Sequence, residues 1–161
     1  VQALNGVSIK QRPRPDGGLA AVDAPDVSLL QTVAHWQGRQ DLPVPAQVSL
    51  SSVSRKGRGF CLDVVGSSGS LMLSSTNQKD YVHGFELQHA PLGEPFRAVE
   101  ADADLAYPQT WSDGRIAPVV RVLGWWAESI RSGQPMLPGL AEGVASRVAC
   151  DKAAGGTLDL A

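Results

Sequence analysis

The spacing of apolar residues changes once along this chain, from a period near two to a period of three and four. After residue 111, Ile116, Val119, Leu123, Trp126 and Ile130 fall on one stripe of a 3.6-residue helix. Such a stripe needs a surface to cover. The helix is predicted to end at Arg131-Ser132-Gly133, where Gly133 can adopt the left-handed conformation and Pro135 forbids continuation. Pro118 does not break it if it begins between Gly114 and Ala117, because a first-turn proline forfeits no intrahelical bond. A second helix is predicted after Pro138-Gly139, with Leu140, Val144 and Val148 on one line and Glu142, Arg147 and Lys152 off it.

Everything before these helices reads as strands. Residues 7–11 alternate and end at Pro13, Pro15 and the Asp16-Gly17-Gly18 turn. Residues 27–36 are apolar on both parities, as expected of a strand with both faces covered. A loop with two prolines is expected over residues 38–45. Ala46, Val48 and Leu50 then alternate with polar neighbours, as do Phe60, Leu62 and Val64, and a further strand is expected at 71–73. Gly66-Ser67-Ser68-Gly69 reads as a tight antiparallel hairpin in which glycine supplies positive φ angles. A polar break at 74–80 precedes strands at 82–89 and 96–99, and residues 100–107 read as an acidic surface loop. The tail at 157–160 has the alternation of a short final strand. Strands first and helices last predict an α+β domain: an open, mostly antiparallel β-sheet with helices packed on one face. An apolar second face would pair with another subunit or domain.

At 161 residues, 43% hydrophobic and 19% charged, the chain is expected to form one globular domain, residues 1–161. Fourteen basic against sixteen acidic residues give a net charge of −2, which argues against a nucleic-acid or anionic-membrane partner. No apolar run reaches the length of about 18 residues that a membrane span requires, and no signal-peptide pattern opens the chain, so a cytoplasmic location is expected. Cys61 and Cys150 lie far apart without CxxC spacing and are expected to be buried free thiols. The chain begins at Val1 and runs straight into a strand pattern, which suggests the back part of a longer protein.

The search for chemistry is mostly negative. Gly57-Arg58-Gly59 fails as a dinucleotide fingerprint, because residue 62 is leucine and a strand follows. No Walker A, HExxH or GxSxG sequence occurs. His83 and His89 on one strand would stand about 20 Å apart at roughly 3.3 Å per residue, too far to share a metal. They, and His35, read as surface or sheet-face residues, so no catalytic or metal-binding residue is expected. Two local features stand out. Arg55, Lys56 and Arg58 sit in a Gly-flanked loop that either grips a hydroxyl-rich or anionic small molecule or is a solvated turn whose charges discourage aggregation. Trp111 and Arg115 stand just ahead of the first helix, as a hydrophobic staple or lid, or as substrate contacts.

Three pieces of the chain, in this order, resemble one family. They are the strand, hairpin and strand around Val65-Gly66-Ser67-Ser68-Gly69-Ser70-Leu71; the helix end Ser129-Ile130-Arg131-Ser132-Gly133-Gln134-Pro135; and the closing helix from Pro138 through Glu142-Gly143 to Asp151. Together they look like the C-terminal domain of the Gfo/Idh/MocA oxidoreductases, the glucose-fructose oxidoreductase and inositol dehydrogenase family. The resemblance implies an open sheet whose exposed face builds a homo-oligomer. It also implies a small-molecule substrate held between this domain and a preceding Rossmann domain. A hydride would pass between the nicotinamide of NAD or NADP and a hydroxyl-bearing carbon of a sugar, cyclitol or related polyol. The family's Glu-Lys-Pro and Asp-x-x-x-His motifs are not in these residues, so this chain alone is expected to bind no dinucleotide and to catalyse nothing. The loop before the Gly-x-x-Gly strand carries substrate contacts in some members, which points to Arg55, Lys56 and Arg58. Trp111 is kept, but Arg115 and Val119 stand where inositol-type relatives show Phe and Tyr. Those departures weigh against inositol, and the cationic loop hints at a more anionic ligand.

The sequence therefore predicts the substrate-binding and assembly part of an NAD(P)-dependent oxidoreductase. The alternative is a stand-alone small-molecule-binding or oligomerisation module with no redox role.

Overall fold

A computed structural model describes residues 2–36 and 39–155, as two compact units treated separately below. The first unit comprises Val1–Gly57 and Pro138–Ala161, the second Arg58–Leu137. The strand expected at 157–160 lies outside the described residues.

In the first unit, β1 (Gln2–Gly6), β4 (Val27–Trp36) and β5 (Arg39–Ser51) form an antiparallel sheet in the order β1-β4-β5, and β2 (Gln11–Pro13) pairs with β3 (Leu19–Ala21). The strand expected at residues 7–11 does not form, apart from its last residue, where β2 begins. Buried Asp26 accepts hydrogen bonds from the backbone N–H groups of Ser8 (2.8 Å) and Ile9 (2.9 Å), so the chain turns where alternation alone would extend it. The loop expected at 38–45 is instead largely strand. Pro43 and Pro45 pair with His35 and Val33, and β5 lies at the sheet edge. Two residues apart, the two prolines turn their nitrogens toward the same open side, where no ladder donor is needed.

Helix α2 (Leu140–Ala154) begins where Glu142 accepts the Gly139 N–H at 2.7 Å, and it lies against β1, whose Asn5 amide donates to the Ala153 carbonyl at 2.7 Å. Although β4 is apolar on both parities as expected, its faces are not both covered by the described residues, for Leu29 and Val33 are exposed.

In the second unit, β6 (Phe60–Gly66), β7 (Gly69–Ser75), β8 (Glu86–Pro91) and β9 (Arg97–Ala98) run as an antiparallel meander. The predicted hairpin forms with Gly66 opposite Gly69, but in it only Gly69 takes a positive φ, at 153°. Its Cα sits against the carbonyl of Ala90 on β8, where a side chain has no room. The loop at 100–107 contains one 3-10 turn, Ala103–Leu105. Helix α1 (Ile116–Ser132) starts and stops as its sequence signals predict, with Pro118 in the first turn and Gly133 at φ 67°. Arg121 on α1 donates to the carbonyls of Leu105 and Ala106, both at 2.8 Å, and lies 4.2 Å over the Tyr107 ring, which ties the preceding loop to the helix.

The structure is α+β, with open antiparallel sheets and two α-helices among the described residues. Much of its apolar surface faces solvent. Of α1, only Ala117 is buried, and the predicted stripe is open, with Leu123 51% and Trp126 57% exposed. One face of the four-stranded sheet carries Leu62, Val64, Leu71 and Leu87, each 37–49% exposed. Cys61 and Cys150 are free, as expected, but not buried: Cys61 is half-exposed and Cys150 exposed.

Candidate functional site

The polar break after β7 is the best-built irregular segment of the second unit. Buried Ser75 accepts the Asn77 N–H with its hydroxyl (3.1 Å), and the Asn77 side-chain carbonyl accepts the Lys79 N–H (3.2 Å). One carboxylate oxygen of Asp80 accepts the N–H groups of both Val82 and His83 at 3.0 Å, and the Asp80 carbonyl accepts Gly84 N–H at 2.8 Å. Each side chain replaces a ladder partner with a local one, as Asx-turns do. That is why β8 begins at Glu86 and not at residue 82. His83 accordingly lies in this turn and only His89 on a strand, so the expected shared strand is corrected. The His83 Nδ1 stands 3.6 Å from the second oxygen of Asp80. Hydrogen bonds from His83 and then Val82 hold the Asp80 carboxyl below its ordinary 3.8, against the opposing effect of desolvation.

One glycine lets this turn close on itself, and two let other backbone segments close on it. Gly84 sits against the carbonyls of Asp80 and Asn77, and Gly59, at φ 78°, sits against the Ser75 carbonyl. Gly114 approaches Asp80 so closely that a β-carbon on it would lie 2.8 Å from the Asp80 Cα. Aromatic rings fill the apolar side: Phe60 meets Phe85 edge-on at 5.7 Å, and Tyr81 stacks on Phe85 at 5.8 Å.

These contacts bring part of the predicted site together. Arg58 and Gly59 approach the turn from one side, and Trp111 and Arg115 flank the approach at Gly114. Trp111 is half-buried and Arg115 exposed. Arg115 grips Asp113 with two parallel bonds, Nε to Oδ1 at 2.9 Å and Nη2 to Oδ2 at 2.7 Å, and its backbone N–H adds a third at 3.0 Å. The bond to the guanidinium, then that to the backbone N–H, lowers the Asp113 pKa to about 2, and the same side-chain bond, then the carboxylate's charge, raises that of Arg115. Arg58 donates to the Cys61 sulfur at 3.7 Å. Arg55 and Lys56 are exposed in the turn that leads out of the first unit, whereas Arg58 opens the second. Reading the cations as a cluster missed Asp80, Asp113, Tyr81 and the glycines. Asn77, Asp80 and Gly84 were the readable signal, as residues that favour turns.

Two shallow depressions lie elsewhere. One crosses the first sheet over Gln2, Gln31 and Gln47, and the other lies at the hairpin end of the second, over Val64, Ser68 and His89. Among the described residues no three His, Cys, Asp or Glu side chains gather as a metal site, and no helix is long and apolar enough to cross a membrane.

Over 148 residues the chain is 40% identical to an uncharacterized oxidoreductase of Synechocystis sp. (strain ATCC 27184 / PCC 6803 / Kazusa). The match takes in 90% of this chain and 38% of that protein, so the chain spans well under half of its relative's length. It is homologous to that segment of an oxidoreductase. No protein-family model matches the chain, and no solved structure matches it.

Proposed function

We propose that this chain is the C-terminal substrate-binding and assembly domain of an NAD(P)-dependent oxidoreductase of the Gfo/Idh/MocA type, acting on a sugar, cyclitol or related polyol. The observation that carries the reading is the 40% identity over 148 residues to a segment of a protein named as an oxidoreductase. In this reading an N-terminal Rossmann domain holds the nicotinamide, which supplies hydride acceptance or donation when bound. The residues of this chain do not react. They bind and orient the substrate and exclude water beside the nicotinamide. The paired Asp113 and Arg115 offer acceptor and donor groups side by side, a combination suited to a hydroxyl-bearing ligand, and Trp111 offers an apolar face. Arg58 adds a second guanidinium one residue from Gly59, which meets the Asp80 turn, and Arg55 and Lys56 are proposed as substrate-facing on the family resemblance alone.

The open apolar surfaces support the assembly role. An exposed sheet face with Leu62, Val64, Leu71 and Leu87 suits a second copy of the chain, and the α1 stripe suits a neighbouring domain. Free thiols at Cys61 and Cys150 agree with a reducing, cytoplasmic compartment.

The test is nicotinamide absorbance in the full-length protein with a panel of sugars, cyclitols and polyols, offered with NAD and with NADP. Turnover of at least one panel member is expected. No turnover with any member, together with a gene that begins just before Val1, overturns the reading in favour of a module without redox chemistry.

A further inference from the structure

We infer that Asp80 is a positioning residue, whose turn seats Gly114 and thereby sets the place and direction of the 111–115 segment. The inference rests on the proposed function only for the use made of that segment. Asp80 acts in two directions at once. Its carboxylate and carbonyl close the turn through Val82, His83 and Gly84, so the residue cannot shift without loosening its own loop. Its Cα and side chain then form the seat for Gly114, an approach that no residue with a β-carbon can make.

What is seated is itself closed by hydrogen bonds. Asp113 and Arg115 bracket Gly114 and clasp one another, while the Asp113 carbonyl accepts the Ile116 N–H at 3.1 Å, the bond that starts α1. Trp111 precedes this clip and α1 follows it. A displacement at Gly114 therefore moves the indole and the ion pair together and does not merely open a gap. The same turn also receives Gly59, next to Arg58, through the Ser75 carbonyl. Three of the proposed substrate-facing residues, Arg58, Trp111 and Arg115, from loops far apart in sequence, thus take their position from one ten-residue turn, residues 75–84.

The experiment is read by NMR on the 161-residue chain, without substrate or cofactor. In the wild type, a nuclear Overhauser contact between the α-protons of Asp80 and Gly114 is expected, and its absence overturns the proposal with no variant needed. In Gly114→Ala and in Asp80→Ser, the indole N–H signal of Trp111, assigned with Trp111→Phe, is expected to move while those of Trp125 and Trp126 stay. Asp80→Asn, which keeps the shape and one acceptor oxygen, is expected to restore most of the wild-type position. A Trp111 signal unmoved in a folded Gly114→Ala or Asp80→Ser variant overturns the proposal. In the full-length protein the same variants are expected to raise KM severalfold with a smaller change in kcat. A moved indole with no effect on KM would support the seating and count against the substrate pocket, so failure of one reading is distinct from failure of the other.

Discussion

The Cα of Asp80 stands 2.8 Å from the point where a β-carbon on Gly114 would lie. Real β-carbons do not approach backbone this closely, so substitution must push the two segments apart. Gly114→Ala is expected to destabilise the second unit by about 1–3 kcal/mol, the usual cost of overpacking a site that cannot collapse. Urea unfolding followed by tryptophan fluorescence measures it, and an unchanged midpoint would show that the turn yields freely.

Gly124 makes the opposite case. It lies inside α1 with open space where a side chain would go. Alanine there narrows the unfolded ensemble and meets nothing, so Gly124→Ala is expected to stabilise the helix by about 0.5–1 kcal/mol. A gain in helical circular dichroism and in the urea midpoint is the expected readout. A loss would mean that this face of α1 lies against another surface in solution.

The acid limb of stability is expected to come from carboxylates that backbone N–H groups hold ionised. Asp26 is the buried one: hydrogen bonds from Ser8, then Ile9, hold its pKa below the ordinary 3.8, with desolvation opposing. Asp80 and Glu142 are lowered in the same way, and Asp113, held chiefly by the Arg115 guanidinium, to about 2. For a pKa depressed in the folded state, the stabilisation is fully present above the unfolded value and is lost as pH falls through the folded one. The chain is therefore expected to hold its stability down to about pH 4.5 and to lose it progressively between there and about pH 2. Asp26→Asn removes one of these protons from the balance, so its stability should fall less steeply over that window. Parallel acid limbs for the two proteins would remove Asp26 from this account.

The helices were legible because their ends are local. Gly133, Pro135 and the Pro138-Gly139 pair stop and restart the chain whatever lies around them. Strand limits at 7–11 and 82–85 were misread for a shared reason: a carboxylate took the N–H groups that alternation assigned to a ladder. For Asp80 the turn residues Asn77 and Gly84 gave a local hint. For Asp26, which acts from another connection, nothing near residue 8 could have shown it. Pro43 and Pro45 signalled a loop by propensity, and only the position of β5 at a sheet edge makes them compatible with a strand. Of the site, Trp111 and Arg115 were visible as chemistry, but the close approach at Gly114 that ties them to Asp80 is a fact of packing.

Exposed apolar residues in rows predict association. Leu62, Val64, Leu71 and Leu87 share one sheet face, where register places Val64 opposite Leu71 and Leu73 opposite Leu87. The 161-residue chain is expected to self-associate through this face, and Leu71→Lys, which puts a charge at its centre, is expected to shift the mass toward monomer. Light scattering across a concentration series decides the matter. A monomeric mass at the highest concentration would remove the sheet face as an interface.

The two arginines next to the glycines that meet the turn should differ in what their loss does. Arg115 is clasped by Asp113, so Arg115→Ala both removes donors from the proposed pocket and leaves the carboxylate without its guanidinium, with the backbone N–H of residue 115 still bonded to it. Among the described residues Arg58 makes a weak sulfur contact at 3.7 Å and no ion pair, so its guanidinium is the freer to meet a ligand. If the substrate lies here, Arg58→Ala in the full-length enzyme should raise KM by about tenfold, roughly 1.4 kcal/mol of binding, with kcat nearly unchanged. Arg115→Ala should lower kcat/KM through both parameters, because the segment that orients the substrate loses its clasp. Arg55→Ala, from the turn before Arg58, is expected to raise KM by a similar factor if the cationic loop acts as a whole. Should only Arg58 and Arg115 respond, the pocket is confined to the Asp80 turn; should neither respond, the cations return to being a solvated edge.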